Sequence, residues 1–232
     1  IYMDEVKKQF ESLIESSRNA KSGEEQFEIH KKYYELISDI VTTIRIGNFR
    51  HDVDTTDKFY AEEKEYLDEQ LPLVEQLENE YKKVLFNSPY RDYLEEKIGK
   101  VAFKNIELAI KSISDEILPL MQEENALASR YDNLIASARI SFNGEECNLS
   151  LLRKYLTDKD REVRKKAWKA YSDYFLSVTD EIDEIYDKLV KNRTAQAKAL
   201  GYESFVELGY YRMVRNSYRR KEVENFRKQV KE

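Results

Sequence analysis

A chain of 232 residues, 41% apolar and 36% charged, can bury one large core or two small ones. Its 39 Lys and Arg are interspersed among 45 Asp and Glu, for a formal net charge of −6, so phosphate backbones are repelled and nucleic acid is excluded as a partner. No apolar run approaches the roughly 20 residues of a membrane span and no signal peptide is visible, which excludes a membrane partner.

Six Gly and three Pro leave little material for turns, so the composition predicts an all-α fold of long helices. A first amphipathic helix is expected from Met3 to Ile14, ending in the loop Asn19 to Gly23. A second follows from Glu24 with Phe27, Tyr34, Ile37, Ile40, Val41 and Ile44 on its apolar face, and the segment Gly47 to Asp54 is expected to close it. Asp54, Thr55 and Thr56 offer N-caps for a third, long helix striped by Leu67, Leu71, Val74, Leu77, Tyr81 and Leu85. Pro72 lies inside that stripe and predicts a kink or short break. A brief helix follows Pro89 and stops near Gly99. The next apolar face runs from Val101 to Leu118, Pro119 interrupts it, and helical periodicity resumes through Leu134.

Ile140 to Cys147 alternates apolar and polar residues around Asn143-Gly144, whose residues tolerate positive φ, and predicts one small β-hairpin. Ser150 to Leu156 reads as a short helix, and Thr157 or Asp158 caps a much longer one. In it Trp168, Tyr171, Phe175, Val178, Ile182, Ile185 and Leu189 form a coiled-coil-like seam. Full burial of that seam is worth on the order of 10 to 20 kcal/mol before conformational entropy is subtracted, so a partner helix is expected over it. Gly201 ends the helix as a C′ residue, and Tyr202 to Met213 starts another. Val223, Phe226 and Val230 then mark a helix that has no stop signal, and the expectation is a segment of a longer polypeptide.

The search for chemistry gives no catalytic, cofactor-binding or metal residue. His30 and His51 are the only histidines, and neither lies in HExxH, the spacing that sets two imidazoles and a carboxylate on one helix face. Phe27 and Asn48 stand where Glu-x-x-His of a di-iron bundle needs Glu. His30 is expected on a helix surface or partly packed, and His51 in a polar surface loop. Asp180, Glu181, Asp183, Glu184 and Asp187 read as a solvated face, as do Glu62, Glu63, Glu65, Asp68 and Glu69. Cys147, the lone cysteine, is expected buried or half-buried beside two glutamates, conditions that raise a thiol pKa, and it fits a reducing, cytoplasmic compartment. Tyr33, Tyr34, Tyr60, Tyr66, Tyr81, Tyr90 and Tyr93 fall on helical stripes and are expected in core and rim packing, with some of the 17 tyrosines free to line a peptide groove.

The phrases "RYDNLIASARISFNGEECNLSLLRKYLTDKDREVRKKAW", "EIDEIYDKLVKNRTAQAKALGYESFVELGYYRM" and "RNSYRRKEVENFRKQV" closely resemble the oligoendopeptidase F family of thimet-oligopeptidase-like zinc metallopeptidases. Upstream, "TTIRIGNF" and "DKFYAEEKEYLDEQLP" are similar to that family's amino-terminal helices. The resemblance implies a helical two-lobed shell around a deep channel that admits short peptides, with one zinc in the complete enzyme held by HExxH and a later Glu. Those residues lie beyond the matching segments, so the resemblance assigns no catalytic or metal residue to this chain, which is expected to bind no zinc and to be inactive alone. It implies a helical lobe at 1–122, a hairpin and long-helix region at 123–200, and the start of a catalytic domain at 201–232, partnered by the rest of that domain. The isolated chain is expected to self-associate. The alternative is a stand-alone helical scaffold or peptide-binding module.

Overall fold

A computed structural model describes residues 2–231, which form eleven α-helices, one short 3₁₀ turn and a single two-stranded sheet. The fold is all-α with one hairpin. Helix α1 (Met3–Asn19) buries Val6, Phe10, Ile14 and Ser17, one residue per turn, and carries Asp4 and Glu5 at its positive end. Ser22 then caps α2 (Gly23–Val53) by accepting from the Glu25 N–H at 3.1 Å, while the Glu25 carboxylate accepts from the Lys21 N–H at 2.7 Å.

Helix α2 does not close at Gly47. A Cβ there would meet Leu67 Cδ1 at 3.1 Å, so the glycine admits α3 (Lys58–Phe86) at close range and the helix runs on to Val53. Asp54 accepts from Thr56 in a turn, and Asp57, not residues 54–56, caps α3 through the Phe59 and Tyr60 N–H groups.

The expected break at Pro72 is also absent, and α3 is one helix of 29 residues. Pro72 has no N–H for the Asp68 carbonyl one turn earlier. Asn125 of α6 (Leu118–Ala136) supplies that donor at 3.1 Å, and Gln122 donates to the adjacent Glu69 carbonyl at 2.8 Å. Helix α6 thus satisfies the groups that a proline leaves behind.

Helices α4 (Arg91–Ile98) and α5 (Lys100–Ile110) meet at Gly99, whose φ of 108° lies where a side chain is strained. The face predicted from Val101 to Leu118 stops at Ile110, and Pro119 does not interrupt a helix but sits in the first turn of α6, where its missing N–H costs nothing. The main core joins Val6, Phe10, Tyr33, Val74, Tyr81, Leu85, Leu94 and Phe103 from α1 to α5.

Strands β1 (Ile140–Phe142) and β2 (Glu145–Cys147) pair antiparallel through Asn143-Gly144, both at positive φ. Ile140 and Cys147 face each other over Leu152 of α7 (Leu149–Leu156) and Ala167 of α8 (Arg161–Ser177) in a second core.

The one long helix expected after Thr157 is two, α8 and α9 (Thr179–Ala199), and Asp160 caps the first. At the joint the Ser177 hydroxyl donates to the Tyr174 carbonyl and the Thr179 hydroxyl to that of Phe175, which competes with the ladder beside β-branched Val178. The seam is therefore not buried as a unit. Ile185 is buried, Tyr171, Phe175, Val178, Ile182 and Leu189 are half-buried, and Trp168 is 53% exposed.

Gly201 ends α9 as expected, with its own N–H bonded to the Lys198 carbonyl and that of Tyr202 to Ala197. Helix α10 (Phe205–Arg212) ends the same way, but Val214 stands in the left-handed position at φ 53°. Helix α11 (Arg220–Lys231) buries nothing.

Candidate functional site

Helices α3, α5, α6 and α10 line an open pocket of about 420 Å³. Its floor is set by Glu124 of α6, which accepts from Arg193 Nε at 2.7 Å, Gln196 Nε2 at 2.8 Å and Arg212 Nη1 at 2.8 Å. Burial pushes the Glu124 carboxyl up, but the hydrogen bonds from Arg193, Gln196 and Arg212 and the Arg212 charge outweigh it and leave the carboxyl below its ordinary range. Gln196 also donates to Asn192, and Asn192 donates to Glu123 at 2.7 Å and to the Leu120 carbonyl at 2.9 Å. One carboxylate thus ties α6, α9 and α10 together.

The α3 wall is less completely paired. Glu78 accepts from Lys82 at 2.6 Å and from the Tyr33 hydroxyl at 2.9 Å, which pushes the Tyr33 phenol far above its ordinary value, with burial the largest cause. Glu75 has neither a hydrogen bond nor an ion pair among the described residues, and burial raises its carboxyl despite the nearby Arg212 and Lys82 charges. Asn79, one turn on, is 4% exposed, and its Oδ1 is buried without a partner.

A second, larger groove of about 740 Å³ runs between α5, α10 and α11 and shares Tyr211 with the first. Arg215 lies 4.3 Å over the Tyr210 ring and 5.5 Å from that of Tyr218 at its edge.

His30 is partly packed, stacked on Tyr33 at 5.5 Å and Tyr81 at 6.1 Å, and burial lowers its pKa to about 4. The loop expected around His51 is instead the last turn of α2, and His51 is only 4% exposed, with Asp52 Oδ1 3.3 Å from Nδ1. The helix turns it inward because α2 continues past Gly47. About six turns separate the two rings, so they cannot share a ligand. Cys147 is buried in the hairpin core.

Among the acidic residues of α9, Glu181 and Glu184 pair with Arg130 and Asp187 pairs with Lys191, all on a half-exposed face. Asp68 departs from its predicted solvated face. It is largely enclosed between α3 and α6, where it accepts from Lys64 and Ser129. Tyr33 and Tyr81 belong to the core, whereas Tyr34 is exposed. Among the described residues no group of three or more His, Cys, Asp or Glu could hold a metal ion. The residues present therefore do not fit a zinc site.

Sequence reasoning missed Glu124, Asn192, Gln196, Glu75 and Asn79. A signal was there: Asn192 and Gln196, like Glu75 and Asn79, are polar residues one turn apart beside an apolar face.

The Peptidase M3 N-terminal domain model matches residues 1–113, and the Peptidase family M3 model matches residues 154–232. Among solved structures, Pz peptidase A with an inhibitor is 41% identical with a TM-score of 0.96, over 99% of this chain and 41% of that one. A protein assigned as oligoendopeptidase F from Bacillus anthracis str. Ames is 42% identical with a TM-score of 0.96, over 99% of this chain and 42% of that one. A further oligoendopeptidase F assignment is 39% identical with a TM-score of 0.95, over 98% and 40% respectively. The chain spans about two fifths of the length of these solved relatives. No curated protein matches it.

Proposed function

Because the chain belongs to peptidase family M3, we propose that it is the amino-terminal part of a zinc metallo-oligopeptidase that hydrolyses short peptides, and that its helices form one wall of the substrate channel. The observation that carries this reading is that the likeness to oligoendopeptidase F runs through nearly the whole chain, hairpin included. Residues 1–122 serve as the helical lobe, 123–200 as the hairpin and long-helix region, and 201–232 as the start of the catalytic domain. Zinc supplies a Lewis acid that lowers the pKa of bound water in such enzymes, and in this proposal residues outside these 232 hold it. The part played by this chain is shape and charge. Helices α3 and α6, locked at Pro72, keep the wall rigid, and the Glu124 clamp fixes α10 against it. The lone buried Cys147 fits work in the reducing cytoplasm.

The test compares the product of the natural gene with the 232-residue chain alone. The natural product is expected to hold about one zinc per chain and to cleave a short quenched peptide, sensitive to a chelator, while leaving folded proteins intact. The chain alone is expected to do neither. Chelator-sensitive cleavage by the chain alone would overturn the placement of the chemistry, and a natural product without peptidase activity would leave the helical scaffold as the better reading.

A further inference from the structure

We propose that the outward face of α8 and α9 is a dimer interface, on which a second copy of this chain lies antiparallel about a two-fold axis near Ser172 and Leu176. From Arg161 to Val190 an exposed residue recurs every three or four positions, and Ser172, Leu176, Thr179 and Asp183 carry that spacing across the joint at Val178. The two helices therefore present one continuous strip. Four large apolar side chains, Trp168, Leu176, Tyr186 and Val190, stand exposed along it, where a solvated helix face carries polar groups.

Charge selects the occupant. Residues 161–169 hold five cations and one acid, whereas residues 180–187 hold five acids and no cation. Some of these are engaged within the chain: Arg164 donates to the Asp158 and Lys159 carbonyls, Lys169 pairs with Asp173, Glu181 and Glu184 with Arg130, and Asp187 with Lys191. Arg161, Lys165 and Lys166 at one end, and Asp180 and Asp183 at the other, have no ion pair among the described residues. The surface that complements this strip is apolar, with an acidic end and a basic end the same distance apart, and the strip itself, reversed, is that surface. A parallel copy would set like charges together, while an antiparallel one sets each basic end on the other's acidic end. Lys165 and Asp183 lie nine residues to either side of position 174, so a two-fold axis there brings Lys165 of each copy to Asp183 of the other. Residues 161–190 form a strip about 45 Å long and 10 Å wide, and a pair of strips covers on the order of 900 Å² in total, the size of a weak, reversible interface.

This inference is independent of the peptidase reading, because its test involves neither zinc nor cleavage. The oligomeric state of the full 232-residue chain is followed by sedimentation up to about 0.5 mM, at low and at high salt. A reversible dimer that weakens with salt is expected. Lys165→Glu and Asp183→Lys each put two like-charge contacts into that dimer and should weaken it about tenfold or more. Both sites are exposed and without an ion pair in the chain, so the variants keep the fold. Mixing the two variants is the deciding step: in a mixed pair both contacts again join opposite charges, and the mixture should dimerise as the parent does. A parent chain that stays monomeric overturns the proposal and leaves the strip to another segment of a longer polypeptide. Dimers that survive in both variants put the association on apolar surface elsewhere and overturn it as well, as does a mixture that associates no better than its components.

Discussion

Val214 is the residue whose backbone works hardest against its side chain. It is β-branched yet occupies the left-handed C′ position of α10, where its N–H and that of Arg215 close the helix on Tyr211 and Tyr210. Such a conformation costs about 1–2 kcal/mol for a residue with a Cβ, and glycine recovers most of that while adding some unfolded-state entropy. Val214→Gly is therefore expected to raise stability by about 0.5–1 kcal/mol, read as a later urea midpoint at unchanged slope. An earlier midpoint would mean that the Val214 side chain, half of it exposed, packs for more than its backbone loses. Glu75 supplies a pH test. Its carboxyl is raised on folding, chiefly by burial, so the folded state holds the proton more tightly than the unfolded state. Stability from this group is thus greatest in acid and declines as pH rises from the ordinary carboxylate range through the higher folded value. Glu75→Gln should gain over the parent at neutral pH and lose that advantage in acid. Thermal unfolding at both pH values checks it, and a pH-independent difference would contradict the assignment.

At the scale of elements, the junction of α3 and α6 can be tested as a unit. If Asn125 is needed because Pro72 frees the Asp68 carbonyl, Asn125→Ala should cost about 1–3 kcal/mol, the price of a buried acceptor left alone. In a Pro72→Ala background the helix supplies its own donor, and the cost should shrink below about 1 kcal/mol. Equal costs in both backgrounds would reduce Asn125 to ordinary packing. The same junction shows what the sequence could and could not disclose. The periodic stripes of α1, α2 and α3, the Asn-Gly hairpin and the Gly201 stop were legible because each is a local consequence of its own residues. The continuity of α3 through Pro72, the passage of α2 through Gly47 and the break at Val178 were not, because a side chain or a close approach from elsewhere decides the first two and hydroxyl groups decide the third. His51 and Asp68 were misplaced for the same reason: their burial depends on which helix arrives opposite. Glu124 was missed because a lone carboxylate gains meaning only when Arg193, Gln196 and Arg212 from two other helices converge on it.

Taken whole, the molecule leaves apolar side chains uncovered on several faces. Phe49 and Val53 are exposed in the last turns of α2 and Phe59 in the first turn of α3, Leu176, Tyr186 and Val190 on α8 and α9, and Phe226 and Val230 on α11. Surfaces of this kind bind other surfaces. The isolated chain is expected to associate with itself as concentration rises in sedimentation, or to bind an apolar-patch dye, and a monomer at high concentration with no dye binding would count against that expectation. Trp168 gives this behaviour an optical handle. It is the chain's single tryptophan, its ring edge-on to Tyr171 and more than half open to water on α8. Its emission in the folded chain therefore stays close to that of an indole in water, and unfolding changes its colour little. A shift to the blue reports instead that something has come to lie on α8, so the docking of a partner can be followed in this protein without any label.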